Sequence, residues 1–473
     1  MSLLFRLISP ETIDRILAEA YQLLAVTGVR VADPEARRLL ENAGAKVQDR
    51  AVRIPGRIIE HALDVVGRDF FLHSRQGDPV VHYSAGDEVH FDPGSCAVNI
   101  LDPETGQHRP AITSDLVRIV QVTEQLPQFT AQSTAVVCHD APSQIGDIYR
   151  LYVVLTHSEK PMVTGAFSTG NIQAMIDLLA ADSGSLELLR EKPRAIFDVC
   201  PSPPLHWTDF ACRCLIELGR AGVPVQLVSM PLAGATAPVT LAGSLVQHAA
   251  ESLAGIVIHQ LAAPGAPLVW GGAPAIFDMR TGSAPMGAIE TAMLDAAYAA
   301  VGKHLKLPTH GYLGGSDSKL ADFQSGSEST SGFLIGALAG LNMISGAGML
   351  DSLNCMSVEK LALDAEAIAS AQRLLAGIHI PKGSLALDTF TQTGLEGEFL
   401  KLGETRTLFK KEQHLPSEVI DRGSLQAWQE GGARDAFTRA SARVEELVCR
   451  YQQPALAKNT LQAFDQILKT ING

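Results

Sequence analysis

The chain is poor in charge. Asp, Glu, Lys and Arg make up 19% of its 473 residues, against 46% apolar ones. That is ample for a large buried core and more than one ordinary domain requires. Basic residues are in deficit: 38 Lys and Arg face 51 Asp and Glu, for a net charge of −13. The basic footprint of a nucleic-acid binder is therefore missing. An acidic balance accords with a cationic ligand and, more simply, with a solvated surface. Cysteines are few. Cys96, Cys138, Cys200, Cys212, Cys214, Cys355 and Cys449 are scattered and odd in number, which excludes a disulfide framework and reads as reduced thiols in a cytoplasmic protein. No apolar run reaches the ~20 residues of a membrane span. The start, Met1-Ser-Leu-Leu-Phe-Arg, has no basic region, apolar stretch or small-residue cleavage site, so no secretory leader is expected. Gly (41) and Pro (25) are plentiful but dispersed, as turn-makers are.

What is present is a recurring strand–helix grammar. Residues 9 to 66 read as helices: Ser9-Pro10-Glu11 is a cap with Pro in the first turn, and Ile13, Ile16, Leu17, Ala20, Leu23 and Leu24 follow at helical spacing. Phe70-Phe-Leu-His and Pro79-Val-Val-His-Tyr read as a short hairpin. Eight units then run from about residue 89 to 375. Their strands are expected at 89–95, 129–137, 162–168, 195–200, 225–230, 268–272, 309–313 and 342–345, each followed by one helix. Strand one carries a hairpin insertion that turns at Asp102-Pro-Glu-Thr-Gly106. The strands are short and mostly apolar, as strands of a parallel sheet buried on both faces should be. Eight units predict an α/β fold, a closed (β/α)₈ TIM barrel. The alternative is a doubly wound open sheet, whose phosphate-binding first turn is absent here. We divide the chain into N-terminal helices and hairpin (1–88), the barrel (89–378) and a C-terminal, mainly helical extension (379–473) packed on the barrel or on a second subunit.

Strand-end loops of a barrel converge on one mouth, where chemistry sits. The most informative such loop is Leu307-Pro-Thr-His-Gly-Tyr-Leu-Gly-Gly-Ser-Asp-Ser-Lys319, which turns abruptly from core to packed polar groups. It supplies Tyr312, Ser316, Asp317 and Lys319. Loop one gives Phe91, Asp92 and Ser95, loop two Cys138, His139 and Asp140, and loop four His206 and Trp207. Loop six gives Phe277, Asp278 and Arg280, and loop eight Asp351, Asn354 and Cys355. Aromatic faces with carboxylates are the natural lining for a quaternary ammonium, which has no N–H to donate. Two of the three Trp, Trp207 and Trp270, fall at or beside strand ends; packing is the plainer role for either alone. Cys212 and Cys214 point to different helix faces, and Cys138-His139 has no partner pair at zinc spacing, so no metal site is expected. His139, His206 and His310 come from different loops and can meet only at the mouth. There is no Walker loop, dinucleotide fingerprint or nucleophile elbow.

Several strings carry a family resemblance. They are Leu24-Ala-Val-Thr-Gly-Val-Arg-Val, Leu40-Glu-Asn-Ala-Gly-Ala, Val52-Arg-Ile-Pro, Pro201-Ser-Pro-Pro-Leu-His, Met230-Pro-Leu-Ala-Gly-Ala-Thr-Ala-Pro-Val-Thr, Asp278-Met-Arg-Thr-Gly, and Gly315-Ser-Asp-Ser-Lys with Asp322 and Gln324. With them, essentially the whole chain resembles the trimethylamine methyltransferase family of corrinoid-dependent enzymes. The resemblance implies that founding members carry pyrrolysine near the strand end corresponding to Gly314–Ser316. Here that stretch holds only ordinary residues.

Members without pyrrolysine look like enzymes for quaternary amines such as glycine betaine, proline betaine or carnitine, whose leaving group is already a neutral tertiary amine. The implied reaction moves a methyl group from such an amine to the Co(I) of a separate corrinoid protein, with no corrinoid bound stably by this chain. We expect Trp207, Phe277 and Tyr312 to wall the ammonium, Asp317 or Asp278 to balance its charge, and Arg280 or Lys319 to receive a substrate carboxylate; Phe91, His139, His206 and Ser316 complete the lining. These roles rest on loop position, not on the resemblance. The implied partners are a small quaternary amine and a cognate corrinoid protein, with no nucleic acid, no membrane, and a homo-oligomeric assembly. Two rivals stand beside this reading: a zinc-dependent barrel methyltransferase or hydrolase using His139, His206 and a Cys, and a non-catalytic betaine-binding paralogue.

Overall fold

The structure, a computed structural model, describes residues 5–48 and 51–472. Residues 1–4, part of the start read for a leader, lie outside the described residues. Eight parallel strands form the centre: β1 (His90–Pro93), β2 (Gln132–Ser133), β3 (Met162–Thr164), β4 (Ala195–Val199), β5 (Val225–Leu227), β6 (Leu268–Gly272), β7 (Thr309–Tyr312) and β8 (Met343–Ala347). From β2 to β8 each pairs with its sequence neighbour, and β8 pairs back onto β1 through Met343↔His90 and Ile344↔Phe91. The remaining seam, β1 to β2, is bridged by Thr130 N donating to Phe91 O at 3.0 Å and Ser133 Oγ to Gly94 O at 2.8 Å. The expected barrel is thus present and nearly closed.

A main helix follows each strand: α1 (Thr113–Gln125), α2 (Gly146–His157), α3 (Thr169–Ser183), α4 (Asp209–Ala221), α5 (Leu241–Ala262), α6 (Ile289–His304), α7 (Phe323–Leu338) and α8 (Val358–Leu375), and a second short helix, Leu186–Glu191, comes after α3. Side-chain oxygens of Thr208, Thr240, Asp322 and Ser357 cap α4, α5, α7 and α8 by accepting a first-turn N–H. Helix α5 is long and apolar enough to cross a bilayer. Most of it is covered, however, by α4 and by the N-terminal helices Pro10–Val26, Pro34–Asn42 and Gly56–Val65.

Strand alternation sorts the barrel's residues. Phe91, Phe197, Leu227, Trp270 and Ile344 join the large core between sheet and helices. The foot of the interior is apolar: Ala131, Val163, Ile196, Val269 and Met343 pack with Leu72, Val81 and Tyr83 of the hairpin Phe70–His73/Pro79–Tyr83. The expected hairpin therefore plugs the barrel from below.

Two differences from the sequence reading have local causes. Strand two was expected over 129–137 and spans two residues, because Ala97 of loop one takes the ladder beyond it: Ala97 N donates to Ala135 O and Val137 N to Ala97 O. The N-terminal region also contains three-residue strands, Val29–Val31, Lys46–Gln48 and Ala51–Arg53, too short to show a period. His206–Trp207 of loop four adds to them in parallel, Arg30 opposite His206 and Val31 opposite Trp207.

Candidate functional site

Above the apolar foot the interior turns polar. Asp198 of β4 accepts hydrogen bonds from Tyr312 Oη of β7 and Gln226 Nε2 of β5. The Gln226 amide lies 3.5 Å from His310 Nε2, which stands 2.8 Å from Ser345 Oγ of β8. Ser345 Oγ donates to Asp92 Oδ1 of β1. The network spans the barrel from β4 to β1 and ends on a carboxyl at each side. His310 Nε2 either donates to Ser345 Oγ or accepts from the Gln226 amide, according to its tautomer. Five of the six are buried, and Asp198 is half-buried.

Burial sets the protonation here. It pushes Asp198 up to about 6, while the Tyr312 and Gln226 donors pull the other way. It raises Asp92 well above the usual carboxylate range, with the Asp198 charge adding to the effect. It lowers His310 to about 3, so the ring is neutral. Arg150 of α2 is the cation that acts on Asp198. Its guanidinium donates to Thr134 O at 2.7 Å and Gly165 O at 3.3 Å and lies 4.3 Å from the Phe167 ring centre. Asp92 Oδ2, Gln226 Oε1 and His310 Nδ1 have no hydrogen-bond partner. Gln226 Oε1 can only accept, so its unmet demand is for a donated hydrogen or positive charge.

Small sheets wall the mouth. Leu232–Ala233 of loop five pairs with Ala275–Ile276 of loop six. Loop eight, through Met349–Leu350 and Cys355–Met356, pairs with the loop-one hairpin Asn99–Leu101/His108–Pro110. Glu251 of α5 ties loops four and five down, accepting from Leu205 N at 2.8 Å and Ser229 Oγ at 2.6 Å. Lys360 of α8 does the same beneath loop seven. Its Nζ, fully buried, bonds Ser329 Oγ at 2.7 Å and Asp364 Oδ2 at 2.6 Å, and Ser329 donates to Gly314 O at 3.0 Å.

The residues singled out from the sequence are dispersed by this frame. Tyr312 joins the interior network, together with Asp92 and His310. Phe91 faces the helix layer, its ring 5.9 Å from that of Phe333 on α7. Trp207 is buried at the seam with the N-terminal unit, against Gly255 of α5, and its Nε1 donates to Glu251 O at 3.1 Å. His206 lies beside it in the same short strand. His139 is exposed, with Nε2 3.1 Å from Val98 O. Asp317 ties loops together, accepting from Met286 N, Gly287 N and Ser352 Oγ at 2.7–2.9 Å. Ser316 Oγ turns away to Glu328 at 2.6 Å. Asp278 and Arg280 pair with each other at 2.6 Å, which holds Asp278 down at about 2 and neutralises the guanidinium within its own loop. Phe277 is half-buried beside them, and Lys319 lies exposed on Asp317 O and Asp351.

Asp198, Gln226 and Ser345 were not singled out from the sequence. The reading took residues just after strands, whereas these lie within them. Their signal is a polar side chain inside a short strand that otherwise reads as buried on both faces, as in Ala195-Ile-Phe-Asp-Val.

Gly314–Ser316 place no side chain in the interior. A Cβ on Gly314 would stand 2.5 Å from the Phe333 ring and 2.8 Å from Ala347 N; one on Gly315 would meet Leu353 at 2.8 Å. Gly346 of β8, at φ +118°, allows this close approach between strand ends. Among the described residues no three His, Cys, Asp or Glu side chains are grouped to hold a metal ion. The rim exposes apolar side chains: Phe167, Met230, Val239, Met279, Leu320 and Phe323 all follow the C-terminal ends of strands.

Comparisons with known proteins agree with this architecture. The family model described as trimethylamine methyltransferase (MTTB) matches residues 3–470. Trimethylamine methyltransferase MttB1 of Methanosarcina mazei is 31% identical over 448 residues, covering 92% of this chain and 90% of its own. Trimethylamine methyltransferase MttB of Desulfitobacterium hafniense is 29% identical over 98% of this chain and 93% of its own. The glycine betaine methyltransferase of Desulfitobacterium hafniense is 27% identical over 97% and 96%. Among solved structures, the Methanosarcina barkeri monomethylamine methyltransferase superposes with a TM-score of 0.56 at 11% identity, covering all of this chain and 88% of its own.

Proposed function

Because this chain belongs to the trimethylamine methyltransferase family, we propose that it removes a methyl group from a quaternary amine of the betaine class and delivers it to the Co(I) of a separate corrinoid protein. The observation that carries this reading is the barrel interior. Two carboxyl groups, Asp92 and Asp198, stand on opposite sides of a polar interior in which Gln226 Oε1 is an acceptor without a partner. A permanent cation meets that demand without donating a proton. The glycine betaine methyltransferase from Desulfitobacterium hafniense favours glycine betaine or a close analogue as the amine.

The strand-seven end favours a quaternary over a tertiary amine. Gly314 and Gly315 are hemmed in, and Ser316 points to Glu328, so no long reactive side chain reaches the substrate there. A quaternary nitrogen needs none, since its N–CH₃ bond breaks with the electron pair returning to nitrogen and a neutral tertiary amine leaves. The corrinoid, when its protein docks, supplies the nucleophile that accepts the methyl. The chain's own residues hold and orient the cation and keep water out. Tyr312 fixes Asp198 and adds an aromatic wall, and neutral His310 positions Ser345 against Asp92. The exposed apolar rim, Phe167 to Phe323, is the surface offered to the docking protein.

The test is a thermal-shift screen with a panel of betaines, followed by methyl transfer to a reduced corrinoid protein read by its visible absorbance. Transfer from a betaine, lost in Asp198→Asn, is expected. Saturable binding without transfer would instead support the non-catalytic paralogue, and stoichiometric zinc in the purified protein the metal-dependent rival. No response to any quaternary amine would sink the proposal.

A further inference from the structure

Three Arg or Lys side chains are buried among the described residues: Arg150, Arg194 and Lys360. Arg194 is paired with Asp182 at 2.8 Å and Lys360 with Asp364 at 2.6 Å. Arg150, 1% exposed, has no carboxylate oxygen within 4.0 Å among the described residues. The one acid of its own helix is committed elsewhere: Asp147 accepts from Phe167 N and, at 2.7 Å, from Asn171 Nδ2. A charge taken out of water without an ion partner is costly, so an anionic group that reached this guanidinium would be held strongly.

Arg150 also stands beside the interior network. Its Nη atoms hold Thr134 O at 2.7 Å and Gly165 O at 3.3 Å, at the mouth ends of β2 and β3, and the Phe167 ring covers it at 4.3 Å. Gly165 lies against Asp198 of β4, where a Cβ would be 3.7 Å from Asp198 Cβ. Two of the five guanidinium N–H groups are used in this way, and Nε has no partner. On the other side of the barrel the strand ends are apolar. Val228, Ala273 and Tyr312, at the ends of β5, β6 and β7, pack together with Cys200 against them. One side thus offers an uncommitted cation, and the other an aromatic and aliphatic face that suits N-methyl groups.

Resting on the betaine reading above, we propose that Arg150 receives the substrate's carboxylate, so that the amine taken is a zwitterion lying across the barrel, its methylated nitrogen beside Tyr312 and Asp198 and its anionic end on the guanidinium. Charge decides the class. A zwitterion satisfies Arg150 and the carboxyl network together. A purely cationic amine leaves the guanidinium unpaired and is repelled by it. A guanidinium also matches a carboxylate in shape, through parallel N–H···O bonds. The two cations that loop position suggested for this role are engaged elsewhere, Arg280 with Asp278, and Lys319 with Asp317 O and Asp351.

Calorimetric titration of the full chain at about pH 8 with glycine betaine, and separately with tetramethylammonium, tests this. The wild type is expected to bind glycine betaine at least about tenfold more tightly. Arg150→Met should lower that affinity about ten- to a hundredfold. It should leave tetramethylammonium binding undiminished, since removing a nearby positive charge does not loosen the hold on a bare cation. Arg280→Ala should leave both affinities unchanged, its guanidinium being spent on Asp278. If Arg150 merely clasps β2 to β3, Arg150→Met weakens both ligands alike, and the inference falls. The wild-type comparison needs no variant to fold. Tetramethylammonium bound as tightly as glycine betaine overturns the role of Arg150 and leaves the quaternary-amine reading standing; binding of neither ligand overturns that reading and this inference with it.

Discussion

Asp198 is a half-buried carboxyl group in a barrel interior without a full counter-charge, and its protonation follows from its partial desolvation there. Its folded value, about 6, lies above the unfolded one near 3.9. The folded protein therefore keeps a proton that the unfolded chain has released between about pH 4 and 6. The contribution of this group favours folding below that window and is lost as pH rises through 6. A bound cation reverses the preference, because it stabilises the ionised form. Betaine affinity should rise with pH up to about 6 and level off above it, with one proton released per cation below that midpoint; calorimetry in two buffers of different ionisation enthalpy checks both. Tyr312→Phe removes a donor to the carboxylate and should move the midpoint upward. Asp198→Asn should weaken betaine binding by roughly ten- to a hundredfold, about 1.4–3 kcal/mol for a charge-assisted contact.

Between helix and strand, the side chains with the best chemical credentials prove to be joinery. Trp207 was an attractive cage wall in the sequence, but its ring fills the space left by Gly255, where a Cβ would come within 2.4 Å of it. Trp207→Ala should cost about 3–5 kcal/mol of stability and change the betaine Kd less than about twofold; a denaturant melt beside a titration separates the two. The buried Lys360–Asp364 pair works likewise from α8, where Asp364 also accepts from Gly348 N at 2.7 Å. Lys360→Met should destabilise by about 3–5 kcal/mol by stranding a buried carboxylate, and adding Asp364→Leu should recover most of that loss. The strands and their crossover helices were legible because period and punctuation are local. Which residue of a loop turns inward was not, because that depends on what the next loop leaves room for, as Asp317 shows by capping Met286 and Gly287 of loop six.

For the whole molecule the sign and placement of charge matter most. At −13, copies of the chain repel one another over a distance that shrinks from roughly 30 to 8 Å as salt rises from about 0.01 to 0.15 M. The exposed apolar rim at the mouth is the surface the proposed function offers to a docking protein.

By itself the sequence determined the architecture, since eight short apolar strands separated by single helices have essentially one way to bury both faces of a parallel sheet. It also determined that no long residue other than the common twenty stands at the strand-seven end. Only the tertiary structure decided the site. Asp92, Asp198 and His310 lie far apart in the chain and become one network because strands one, four and seven turn the same pleat inward. Long-range closure of the barrel creates that shared interior, and no local pattern of residues encodes it.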